Sequence, residues 1–138
     1  MQTYAAKDRA GPVSITMSAR QILVVDDNPE TANSLAMLLT LEGHRVRVAL
    51  NGSGALAAVR LCVPDVIFLD LGLPENDGYE VGRWLRQHAR GRRMFIVALT
   101  GWADDEARWQ DEGFDSFLLK PASIDVLNKV IRELTANN

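Results

Sequence analysis

The sequence predicts an α/β domain built on a parallel five-stranded sheet with helices packed on both of its faces. Short apolar runs alternate with segments of helical period five times between residues 21 and 138. The first, third and fourth runs are almost unbroken in Val, Ile, Leu and Phe, as parallel strands covered on both sides require. Five successive strand–helix units in one chain of 138 residues imply a single core and right-handed crossovers.

Residues 1–20 show no clear periodicity and contain Gly11-Pro12, so they read as a mobile tail or linker preceding a domain at 21–138. The strands are expected at 22–25, 45–49, 66–69, 94–99 and 116–119. The first helix, 29–42, opens at Asn28-Pro29, places Leu35, Leu38 and Leu39 on one face and stops at Gly43. The second, 53–62, follows an Asn51-Gly52 turn and stacks Ala55, Leu56 and Val59. The third, 78–90, carries Val81, Trp84, Leu85 and His88 at helical spacing. The fourth, 103–112, ends at Gly113, where a left-handed cap is expected, as at Gly43. The fifth, 123–135, opens at Ser123 and aligns Val126, Leu127, Val130, Ile131 and Leu134.

Composition narrows the function. Apolar residues make up 47% and charged residues 24%, ordinary values for a globular domain, and no apolar run approaches a membrane span. No secretory leader is evident, and the single cysteine, Cys62, allows no intrachain disulfide, so a cytoplasmic setting is expected. Residues 21–138 carry 12 Lys and Arg against 17 Asp and Glu, a poor balance for direct nucleic-acid binding. Arg83, Arg86, Arg90, Arg92 and Arg93 read as a solvated face near the end of the third helix. Only Lys7, Lys120 and Lys129 are lysines, which draws attention to Lys120.

In an open parallel sheet, ligands bind beyond the carboxyl ends of the strands. Strand one ends in Asp26-Asp27, strand three in Asp70, strand four in Thr100 and strand five in Lys120-Pro121. Taken singly, each has an ordinary reading: acids favoured at a helix start, a turn residue, a cap, a solvated turn. Together they put three carboxylates, a hydroxyl and an ammonium on one rim. Carboxylates about 5 Å apart repel by roughly 3 kcal/mol per pair at an effective dielectric near 20, so the cluster calls for a cation or for one member to stay protonated. Oxygen-only donors suit Mg²⁺, beside which Asp70 becomes a candidate nucleophile toward phosphorus. Lys120 and Thr100 would then meet the phosphoryl oxygens.

From Gln21 onward the chain resembles a response-regulator receiver domain. The resemblance rests on Ile22 through Val25 to Asp26, Asp27 and Asn28, on Asp65 through Phe68 to Asp70, Pro74, Asp77 and Gly78, on Ala98 to Gly101, and on Leu118 to Pro121. It covers about 118 residues. It implies a flavodoxin-like sheet in the order 2-1-3-4-5 and a phosphorylation-operated switch of two-component or phosphorelay signalling. Asp70 would be the phosphoacceptor, Asp26 and Asp27 the Mg²⁺ carboxylates, and Gly72 a backbone-carbonyl ligand. Thr100 and Lys120 would bind the phosphoryl group, Phe117 would be the switching aromatic, and the Lys120-Pro121 peptide would be cis. The implied donor is a phosphohistidine on a histidine kinase or histidine phosphotransfer protein. The implied output is a downstream protein meeting the fourth helix, fifth strand and fifth helix. In this family the domain is a switch that assists its own phosphorylation and dephosphorylation rather than an enzyme acting on others. Gly72 and Trp102, two residues beyond Asp70 and Thr100, offer no amide or carboxylate to position water, so slow self-dephosphorylation is expected. The resemblance is compatible with a stand-alone regulator and with a domain of a larger regulator or hybrid kinase.

Two competing readings follow from the residues. Gly52-Ser53-Gly54 after a strand mimics part of a dinucleotide fingerprint, though it leaves Asp26, Asp27, Thr100 and Lys120 without a role. A Mg²⁺-dependent phosphatase using an aspartyl phosphate would want a second carboxylate at the position of Gly72. Trp102 and Trp109 lie one heptad apart and could pack internally or meet a partner. His44 and His88 are isolated and form neither a metal pair nor a phosphorelay site.

Overall fold

A computed structural model describes residues 19–74, 77–101 and 110–136. Five parallel strands, β1 (Gln21–Val25), β2 (Arg45–Ala49), β3 (Val66–Asp70), β4 (Phe95–Thr100) and β5 (Ser116–Leu119), form one sheet in the order β2-β1-β3-β4-β5. The helices are α1 (Pro29–Leu41), α2 (Gly52–Leu61), α3 (Gly78–Gln87) and α4 (Ile124–Thr135). The helix expected at 103–112 falls largely outside the described residues. Gln110 and Asp111 are helical, and Gly113 follows at φ +87°. Trp102 and Trp109 lie outside the described residues too.

Alternation along each strand builds two cores. Leu23, Val25, Ile67, Leu69, Ile96 and Ala98 face α2 and α3, meeting Ala55, Val59, Val81 and Leu85. Ile22, Val24, Val66, Phe68, Val97 and Leu99 face the other way, toward Ala32 and Leu39 of α1 and Leu127 and Ile131 of α4. Residues of β1, β3 and β4 are buried on both faces, whereas the edge strands β2 and β5 are mostly half-exposed. This is why only the central strands read as continuous apolar runs.

Local chemistry sets the helix boundaries. Asn28 accepts from Thr31 N with Pro29 in the first turn, Asn51 accepts from Gly54 N, Asp77 from Tyr79 N and Ser123 from Val126 N. Gly43, at φ +100°, follows α1, as its sequence position suggests.

Three expectations need correction. Leu38 of α1 and Val126 of α4 are 43% and 42% exposed, because the inward stripes centre on Ala32–Leu39 and Leu127–Ile131 instead. The third helix ends at Gln87 and not at Arg90, which adopts φ +54° in the following turn. The arginines near it are not merely a solvated face. Arg86 donates to the carbonyl oxygens of Met94 and Gly113 and to Asp115, Arg83 pairs with Glu112, and Arg90 donates to the carbonyl of Arg60. Their planar multi-donor heads suit main-chain carbonyls that a lysine would satisfy one at a time.

Candidate functional site

The parallel register assembles the rim. Val25 pairs with Leu69, so Asp26 and Asp70 emerge side by side from β1 and β3. Asp70 pairs in turn with Leu99, next to Thr100 at the end of β4. Thr100 pairs with Leu119, and Lys120 N donates to the Thr100 carbonyl at 2.7 Å. The strand order therefore gathers Asp26, Asp27, Asp70, Thr100 and Lys120 from four separate stretches of chain.

One carboxylate oxygen from each of Asp26, Asp27 and Asp70 lies within 4.8 Å of the others. Asp26 and Asp70 are buried, at 2% and 6% exposure, and Asp27 is exposed, so the cluster opens to solvent on one side. Lys120 Nζ bridges the two buried acids, 2.8 Å from Asp26 Oδ2 and 3.3 Å from Asp70 Oδ2. The second oxygens are held by the backbone: Asn28 N donates to Asp26 Oδ1 at 2.9 Å, and Gly72 N to Asp70 Oδ1 at 2.8 Å. Burial is the largest single influence on the Lys120 ammonium and pulls its pKa down. The hydrogen bond to Asp26 and the charges of Asp70 and Asp26 outweigh it, leaving the group above its ordinary value and fully charged at neutral pH.

Thr100 is almost wholly buried, at 1% exposure. Phe117 lies on β5 opposite Ala98, half-buried against the α2–α3 core. The Lys120-Pro121 peptide is cis. Gly52, Ser53 and Gly54 form the first turn of α2, capped by Asn51, which gives the glycine pattern a local structural role. Neither histidine joins the rim: His44 is buried at the opposite end of the sheet, and His88 Nδ1 lies 2.8 Å from the Trp84 carbonyl oxygen.

The donor set fits a hard divalent cation. Three carboxylates with all-oxygen donors, two of them buried beside a single ammonium, match the requirements of Mg²⁺. Beside the rim runs a groove of about 760 Å³, bounded by Glu30, Thr31, Ser34 and Leu38 of α1 and by Lys120 and Pro121. Sequence reasoning missed this groove. The exposed Leu38 was the available signal, but its helical spacing to Leu35 made it read as core.

The profile of the response regulator receiver domain matches residues 22–132. The chain belongs to this family. It is 34% identical over 117 residues to the transcriptional regulatory protein KdpE of Mycobacterium tuberculosis, covering 85% of this chain and 51% of KdpE. It is 33% identical over 120 residues to a 14.6 kDa protein from the sodA1 3' region of Leptolyngbya boryana, covering 86% of this chain and 92% of that one. Among solved structures, the receiver domain of the sensor histidine kinase PA1611 of Pseudomonas aeruginosa is similar, with TM-score 0.76 and 30% identity over 87% of this chain and all of that one. That structure holds a magnesium ion coordinated in its active-site cleft. The chain thus spans about half the length of a transcriptional regulator such as KdpE and the whole of a receiver domain. Among the described residues, no helix of this receiver domain is long and apolar enough to cross a membrane.

Proposed function

We propose that this receiver domain accepts a phosphoryl group on Asp70 and converts that event into a change of its partner-binding surface. The observation that carries the reading is the Asp26–Asp27–Asp70 cluster bridged by Lys120. A carboxylate oxygen of Asp70 attacks phosphorus of a phosphohistidine on a histidine kinase or phosphotransfer protein. The new O–P bond forms as the P–N bond breaks, and the imidazole leaves with the electron pair and takes up a proton. Asp26, Asp27, Asp70 and the Gly72 carbonyl would hold Mg²⁺, whose charge would offset that of the phosphoryl oxygens. Lys120, already against Asp70, meets one phosphoryl oxygen, and the Thr100 hydroxyl donates to another.

The product adds about −1.5 to −2 charge to a rim that already holds carboxylates. Lys120 and Thr100 are thereby drawn toward Asp70, and Phe117 follows into the space behind Thr100. Such a switch needs a gap of only a few kcal/mol between its two states. Its readout is a downstream protein meeting the surface around β5, α4 and the segment before β5. Phe117 has no hydroxyl, so its ring position rests on packing alone. Gly72 and Trp102, two residues beyond Asp70 and Thr100 in the sequence, carry no amide or carboxylate that would position water, and the phosphorylated form decays slowly.

The test is intact-mass measurement after incubation with acetyl phosphate and Mg²⁺. One added phosphoryl group is expected, and it should be absent with EDTA or in Asp70→Asn. No addition to the wild type overturns the reading.

A further inference from the structure

The orientation of Asp70 depends on the turn that follows it. Gly72 N holds Asp70 Oδ1, so wherever the Leu71–Gly72 backbone goes, that carboxylate oxygen goes with it. Leu71 N donates to the Leu99 carbonyl at 2.9 Å on one side of the turn, and the start of α3 braces the other. Asp77 caps this helix through Tyr79 N at 3.0 Å, and Gly78, its first residue, is packed directly against Leu71. A methyl group at Gly78 would stand 2.6 Å from Leu71 Cα, 2.9 Å from Leu71 Cδ2 and 3.1 Å from the Leu71 carbonyl oxygen. Two of these three are main-chain atoms, which cannot rotate away, and all lie inside van der Waals contact. Gly78 is not at a positive φ, so the need for glycine here is one of space alone.

We infer that Gly78 is a positioning residue for the phosphoacceptor: its missing side chain lets α3 press the Leu71–Gly72 turn into the place from which Gly72 orients Asp70. The inference rests on the reading of Asp70 above. It differs from a packing role, because the displaced atoms are one residue from the acid and one hydrogen bond from its oxygen. A shift of about 1 Å at a reacting group is enough to cost on the order of 100-fold in rate.

The same helix supplies a matched control. Gly82, one turn further on, is also closely packed, but there an added methyl group would overlap Cε1 and Cζ of the Phe114 ring, a flexible side chain that lies against the Tyr79 ring, and no main-chain atom of the Leu71–Gly72 turn. Gly78→Ala and Gly82→Ala should therefore both lower the melting temperature. Only Gly78→Ala should change the site.

Two readouts separate them, Mg²⁺ titration by isothermal calorimetry and the rate of acetyl-phosphate labelling at saturating Mg²⁺. For Gly78→Ala the Mg²⁺ dissociation constant should rise, and the labelling rate fall, by on the order of tenfold. Gly82→Ala should stay within about twofold of wild type in both, as remote sites do. If Gly78→Ala does not fold, Leu71→Ala carries the test, since it removes the Cδ2 contact and should shift both readouts the same way by about threefold. Site readouts for Gly78→Ala, or for Leu71→Ala in its place, that match Gly82→Ala overturn the inference and leave the phosphoacceptor reading intact. Wild-type protein that takes up no phosphoryl group overturns both.

Discussion

The two ends of the sheet use the same residue type to opposite effect. At the amino end, aspartates secure strand starts: Asp65 Oδ2 accepts from Gln21 N at 2.7 Å, and Asp115 Oδ2 from Ile96 N at 2.8 Å while also pairing with Arg86. Nearby, Arg20 N donates to His44 Nδ1 at 3.2 Å and the Arg20 guanidinium to the Thr135 carbonyl at 3.1 Å. The Asn128 amide donates to Glu42 at 3.0 Å. At the carboxyl end, Asp26, Asp27 and Asp70 crowd one another, and the Lys120 ammonium bridges Asp26 and Asp70. Asp65 and Asp115 stabilise the fold through main-chain N–H groups and, for Asp115, Arg86. Asp26 and Asp70 also accept from a main-chain N–H but face other carboxylates, and so store electrostatic repulsion for a ligand to relieve. A receiver domain needs both, one end rigid and the other reactive.

The largest expected effect comes from Asp70→Asn. Phosphoryl uptake, read by intact mass, should vanish while the melting temperature rises or holds, because a charge leaves a crowded cluster. A fall in stability would mean that the rim is structural, like the opposite end. Lys120→Ala should come next, slowing acetyl-phosphate labelling on the order of 100-fold through loss of a donor to the transferring group. A labelling rate near that of wild type would remove Lys120 from the mechanism.

The amino end should behave in the opposite sense. Asp115→Ala should lower unfolding stability in urea by about 1–2 kcal/mol, since Ile96 N and Arg86 lose an acceptor, and should leave labelling unchanged. The smallest effect expected is a pH dependence from His44. Its burial is the main cause holding its pKa below the ordinary 6.5, against the neighbouring Asn128 side chain and the charge of Glu42, with Arg20 reinforcing the depression. The folded state therefore binds fewer protons than the unfolded one, and this contribution to stability is complete above pH 6.5 and lost as pH falls below it. Melting temperature should decline between pH 7.5 and 5.5 in the wild type and more gently in His44→Gln. Parallel declines would assign the effect to other groups.

Much of the fold was legible because its causes are local. Strand and helix order, the caps at Asn28 and Ser123, and the left-handed Gly43 follow from periodicity and turn chemistry within a few residues. The candidate site was legible for a related reason. In a parallel sheet every strand ends on the same rim, so naming the strand ends names the residues that meet. Leu38 failed because a stripe of leucines does not reveal where the centre of a helix's buried face lies. The arginines around Arg86 failed because their acceptors, Met94, Gly113 and Asp115, lie on other elements. His44 offered no sequence signal, since its partners Arg20 and Asn128 are far away along the chain.

By itself the sequence determined which elements form, in what order, and which side chains stand at the carboxyl end of each strand, because hydrophobic period and turn residues act over one or two turns of chain. Only the tertiary structure decided which of those side chains touch. Lys120 reaches Asp26 across 94 residues, and Asp26 stands beside Asp70 because β1 pairs with β3. It also decided that α3 lies close enough for Gly78 to press on Leu71. Contacts of that kind depend on sheet order and packing distance, which no local pattern encodes.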